Sequence, residues 1–69
     1  MRSLHKNERL KHTWISKKAE IGENLRIGHN SIIEEGVVIG NEVTIGNNVT
    51  VKKGVELSEG CVLEDNVIV

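Results

Sequence analysis

Four side chains carry most of what this chain has for acid–base, nucleophilic or soft-metal chemistry near neutral pH: His5, His12, His29 and Cys61. Histidine changes charge close to neutrality and is the side chain best suited to take a proton there. A single cysteine excludes an internal disulfide and a thiolate zinc cage. His29 lies inside the regular part of the sequence, with Asn30 beside it and Asn48 eighteen residues after Asn30. What such residues can do depends on the elements that hold them, and those elements are legible in the rest of the chain.

Sixty-nine residues leave room for one small domain. Trp14 is the only aromatic residue, there is no proline, and the apolar residues are nearly all Ile, Val and Leu, a bias toward strands. The net charge of −1 is unevenly placed: residues 1–18 carry +5 and residues 19–69 carry −6. A nucleic-acid binder driven by bulk positive charge is not expected, and the basic head lacks interleaved aromatics. No apolar run is long enough for a membrane helix, and no apolar stretch follows the basic start as in a secretory signal, so a cytoplasmic protein is expected.

Every sixth residue from Ile15 is aliphatic: Ile15, Ile21, Ile27, Ile33, Ile39, Ile45, Val51, Leu57, Leu63 and Val69. The residue two before each is mostly small or compact, as in Ala19, Ser31, Val37, Val43, Val49 and Cys61. The residue two after is polar throughout, and the next is Asn or Gly except at Lys18 and Glu42. Two inward side chains spaced by two residues describe a short strand buried on one face. The Asn/Gly column describes a corner at positive φ. A period of six does not match a helix, and a hexad cannot bury its own apolar pair, so successive turns must stack into one core. Cys61, in the small inward column, is expected to be a buried core residue and not a nucleophile.

This pattern resembles the hexapeptide-repeat family over residues 13–69, with aliphatic–Gly runs such as Ile39-Gly40-Asn41-Glu42-Val43-Thr44 and Ile45-Gly46-Asn47-Asn48-Val49-Thr50. The resemblance implies an all-β fold, a left-handed parallel β-helix of about three eighteen-residue coils. Residues 1–12 are then a basic arm or cap. The chain stops at Val69 in mid-strand, as a truncated or minimal member would.

With an eighteen-residue coil the outward positions sort into three faces. One reads Trp14, Ile32, Thr50, Ile68; the second Glu20, Val38, Glu56; the third Arg26, Thr44, Val62. The first is the most apolar and is expected to be an interface; scattered surface hydrophobes are the bland alternative. Gly28 and Gly46 would let another chain approach closely. The resemblance implies a homotrimer.

Many proteins resembling this one are acyltransferases that move an acetyl group from acetyl-CoA to an amine or hydroxyl of a sugar or amino acid. On that resemblance His29 is the candidate general base, Asn30 and Asn48 could orient a small-molecule acceptor, and acetyl-CoA is the co-substrate. The basic residues Arg2, Lys6, Arg9 and Lys11 could meet its phosphates. The competing reading is a non-catalytic β-helical structural or assembly fragment, in which His29 is an exposed turn residue and the asparagines serve the corner. A metal enzyme of the γ-carbonic-anhydrase type needs three converging histidines, and only His29 lies in the repeat, so no metal site is expected. His5 and His12 stand too far from motif positions to carry family roles. Ice binding wants a regular threonine array, and Thr44 and Thr50 fall on different faces.

Overall fold

The structure, a computed structural model, describes residues 12–69. Nine strands of two residues follow one another, one per hexad: β1 (Trp14–Ile15), β2 (Glu20–Ile21), β3 (Arg26–Ile27), β4 (Ile32–Ile33), β5 (Val38–Ile39), β6 (Thr44–Ile45), β7 (Thr50–Val51), β8 (Glu56–Leu57) and β9 (Val62–Leu63). They form three parallel sheets in the orders β1-β4-β7, β2-β5-β8 and β3-β6-β9. Partners lie eighteen residues apart, so Ile21 pairs with Ile39 and Ile39 with Leu57. The chain therefore winds as a three-sided parallel β-helix with the coil length expected from the repeat. Thr50 also bridges Ile68, which extends the first sheet to a fourth level.

The ladder reaches beyond the two-residue strands. Trp14 N–H donates to Ser31 O and Ser16 N–H to Ile33 O, both at 2.9 Å, and the same step recurs at every side of the coil. Inward side chains then stack into one core of Ile33, Val37, Ile39, Val43, Ile45, Val49, Val51 and Leu57. Each such burial stabilises by about 1.5–3 kcal/mol. The middle coil is covered on both sides. The first has one neighbour among the described residues, so Ile15 and Ile21 keep 37% and 38% exposure. Cys61 differs from expectation: it packs against the core but is only partly buried, because its coil too is covered on one side among these residues.

Corners join the sheets, and the expected positive φ is present at Asn24, Asn30, Gly36, Asn48, Gly54, Gly60 and Asn66. The cause is a hydrogen bond. A corner residue in this conformation turns its N–H back to the coil before it, as Asn48 does to His29 O at 2.8 Å and Gly54 to Glu35 O at 3.2 Å. Of the two exceptions to the Asn/Gly column, Glu42 adopts the same backbone, φ 61°, and its carboxylate accepts a bond from Asn24 Nδ2 at 2.7 Å. Lys18 is not at positive φ; its N–H goes to Ser16 Oγ at 3.1 Å instead.

The three corners differ in composition. Residues 16–18, 34–36 and 52–54 make a charged corner after the first sheet. Residues 22–24, 40–42 and 58–60 make one rich in Glu and Asn. Residues 28–30, 46–48 and 64–66 make the corner that holds His29 and leads into β4 and β7.

The expected arm over residues 1–12 lies outside the described residues except for His12, as do His5 and the basic residues Arg2, Lys6, Arg9 and Lys11.

Candidate functional site

At the His29 corner the Gly-polar-Asn triplets Gly28-His29-Asn30 and Gly46-Asn47-Asn48 stack, with Glu64-Asp65-Asn66 above them. His29 is exposed. Its backbone is held by the next coil at both polar groups. His29 N–H donates to Asn47 Oδ1 at 2.7 Å, and His29 O accepts from Asn48 N–H at 2.8 Å. The same bond recurs one level on, where Asn47 N–H donates to Asp65 Oδ1 at 2.8 Å. Asn30 and Asn48 occupy one column at φ 57° and 58°, both exposed. The structure thus brings His29, Asn30 and Asn48 to one corner.

Hydroxyls support this corner from inside. Ser31 is fully buried; its Oγ donates to Gly46 O at 2.8 Å and accepts from Val49 N–H at 3.1 Å. Thr13 Oγ1 donates to Gly28 O at 2.6 Å. These bonds satisfy corner carbonyls that a purely apolar interior would leave unpaired.

Two sequence expectations are corrected here. Gly28 and Gly46 do not make room for another chain: a Cβ at Gly28 would meet Asn47 Oδ1 and the Gly46 carbonyl carbon, and one at Gly46 would meet Asp65 Oδ1. The space is filled by this chain's own next coil. His12 is not remote from the motif. It sits eighteen residues before Asn30 at φ 53°, in the column of Asn30 and Asn48, so two histidines share this corner.

Sequence reasoning missed Asn47, Asp65, Thr13 and Ser31. A signal was available: Gly22, Gly28 and Gly46 are each followed nineteen residues later by Asn41, Asn47 and Asp65. Each of those side chains accepts an N–H from the coil below, Asn41 from Glu23 at 2.8 Å.

Beside the corner, the third sheet carries an open depression lined by Thr44, Gly46, Val62, Leu63, Glu64 and Asp65. On its other side the first sheet presents Trp14, Ile32, Thr50 and Ile68 in one column, as expected. Trp14, Ile32 and Ile68 are 57%, 40% and 65% exposed. Thr44 and Thr50 stand in different sheets. Among the described residues no group of three or more His, Cys, Asp or Glu is placed to hold a metal ion. Nor does any described helix have the length and apolarity to cross a membrane.

The family model for the bacterial transferase hexapeptide (six repeats) matches residues 18–53, more than half of the chain. The chain belongs to the hexapeptide-repeat family. Its hexapeptide repeats imply the left-handed form of the parallel β-helix, and the family includes transferases. The matched stretch contains His29, Asn30 and Asn48. No curated protein and no solved structure matches the chain.

Proposed function

We propose that this hexapeptide protein is an acyltransferase that moves an acetyl group from acetyl-CoA to an amine or hydroxyl of a small acceptor, with His29 as the general base. The observation that carries the reading is the family match over residues 18–53 with an exposed histidine in it whose backbone is fixed on both sides. The imidazole takes the acceptor's proton as the acceptor atom attacks the thioester carbonyl; the C–S bond breaks and coenzyme A leaves as its thiol, taking a proton in turn. Asn30 and Asn48 flank the base and orient the acceptor through their carboxamides.

The depression beside the corner suits the uncharged thioester arm, since Thr44, Gly46, Val62 and Leu63 in its lining carry no charge. Glu64 and Asp65 are unsuited to phosphates. Arg26, in the same sheet, supplies a cation for that end.

The active form in this reading is a homotrimer joined through Trp14, Ile32, Thr50 and Ile68, which lets a neighbouring subunit close the cleft. Exposure of three large apolar side chains in one column supports it. Sedimentation is expected to give a mass near three chains, and Trp14→Asp to weaken assembly; a stable monomer at micromolar concentration overturns the trimer.

The deciding experiment is thiol release from acetyl-CoA with nucleotide amino-sugars as acceptors, in the wild type and in His29→Ala. Loss of release in the variant supports the base, and an unchanged rate removes it. A second reading, a non-catalytic β-helical assembly module, draws on a different observation: at the His29 corner the side chains of Asn47 and Asp65 are used to close the coil. Absence of any acetyl-CoA-dependent thermal shift favours that module.

A further inference from the structure

We infer that Asn47 is the positioning residue for His29: from the next coil its carboxamide holds the histidine's backbone and so fixes where the imidazole starts. The inference rests on His29 being the base of the proposed transfer.

Asn47 Oδ1 accepts the His29 N–H at 2.7 Å, and the following residue, Asn48, donates to His29 O at 2.8 Å. One dipeptide of the second coil therefore grips both polar backbone groups of one residue in the first. Position 28 has no side chain, and a Cβ there would meet the same Asn47 oxygen. The sequence leaves a gap at Gly28, and the carboxamide fills it. Asn47 is itself held, because Asp65 Oδ1 accepts its N–H at 2.8 Å above Gly46. Asp65 steadies Asn47, and Asn47 steadies His29.

The consequence is kinetic. A general base acts only within hydrogen-bond reach of the proton it takes. An exposed corner residue would ordinarily let its Cα wander. A misplacement of about 1 Å can cost on the order of 100-fold in rate. The bond to Asn47 removes that freedom without touching the ring.

The test compares Asn47→Ala and Asn47→Asp in the full chain. In Asn47→Ala the His29 amide hydrogen is expected to exchange faster, and kcat to fall roughly 10- to 100-fold with little change in KM for acetyl-CoA. Asn47→Asp is expected to restore amide protection, since Asp65 shows that a carboxylate can do this work. With the protection, kcat in Asn47→Asp is expected to return toward the wild-type value. The neighbouring charged or titratable groups His12, Arg26, Glu64 and Asp65 are the same in every variant.

Unchanged exchange of the His29 amide in Asn47→Ala overturns the inference. So does an Asn47→Asp protein with restored protection whose kcat stays low at every pH. Should Asn47→Ala fail to fold, Asn47→Ser takes its place: faster exchange of the His29 amide with lowered kcat and unchanged KM supports positioning, and wild-type exchange refutes it. If His29→Ala keeps the wild-type rate, the base assignment fails by itself, and amide exchange still reports whether Asn47 holds residue 29.

Discussion

The corner that carries His29 and the corner that carries Lys53 have the same backbone task and solve it with opposite chemistry. At the His29 corner a short side chain from the coil above accepts an N–H from the coil below, Asn47 from His29 and Asp65 from Asn47. At the Lys53 corner the direction reverses: Glu34 Oε1, on the coil below, accepts Lys53 N–H at 2.9 Å. The first solution needs glycine beneath the accepting side chain. The second uses a longer side chain that needs no gap, and no glycine stands at Ser16, Glu34 or Lys52. Charge alternates up the second corner as Lys17 and Lys18, Glu34 and Glu35, Lys52 and Lys53, with one ion pair, Lys53 Nζ to Glu35 Oε2 at 3.8 Å. The contrast teaches that the backbone bonds of a hexapeptide corner can be supplemented by a short side chain seated over a missing Cβ, or by a longer carboxylate reaching up along an exposed edge. The candidate base sits on the first kind.

The sharpest way to break this contrast is Gly28→Ala. Its Cβ would lie 2.9 Å from the Gly46 backbone carbon and against the Asn47 carboxamide, so a coil must shift. We expect a loss of about 3 kcal/mol in urea unfolding, the upper part of the overpacking range. Ser16→Ala at the other corner should cost clearly less. A Gly28→Ala protein as stable as wild type would erase the distinction.

Next in size is Ser31→Ala. It leaves Gly46 O and Val49 N–H without the buried hydroxyl that now serves both. A cost of about 2 kcal/mol is expected from the same unfolding measurement. The charged corner has alanine and valine at the matching positions Ala19, Val37 and Val55, so it has no such dependence.

Gly54→Ala separates space from backbone. Nothing lies within 4 Å of a Cβ there, but φ is 80°. The expected cost is about 1 kcal/mol, all of it conformational. A neutral result would show that the charged corner relaxes its backbone freely, which would widen the difference from the His29 corner.

The smallest effect is expected from Lys53→Ala or from high salt. The ion pair is exposed, at 71% and 50% for its two side chains, so its loss should cost less than about 0.5 kcal/mol. Stability measured against ionic strength should be nearly flat. A steep fall would mean that charge, and not the backbone bonds, closes this corner.

The coil was legible in the sequence because its cause is local: aliphatics at every sixth position can be buried together only if turns stack. The three outer columns followed from the coil length, and the observed pairing of Trp14 with Ile32 and of Arg26 with Thr44 agrees with them. The partners of His29 were not legible. Asn47 reads as ordinary corner composition, and its bond to His29 joins residues eighteen apart through side chain and backbone together. Gly28 was misread for the same reason, since a missing side chain does not name the atom that takes its place. His12 was set aside as too far from the motif positions because it precedes the first aliphatic, although its backbone already follows the corner conformation. Glu42 shows the reverse: its residue type argues against positive φ, and the bonds to Glu23 and Asn24 override that preference.

The unequal corners also bear on how the chain finds its own alignment. An interior of interchangeable Ile and Val would accept a slip of one hexad without complaint, because each aliphatic would meet another aliphatic. The edges would not accept it. Glycines matched to Asn or Asp nineteen positions later, and lysines set across from glutamates, coincide in bulk only when eighteen residues make a circuit. The perimeter acts as an address written on a repetitive thread, and a mutation there can misdirect winding while leaving the oily centre untouched.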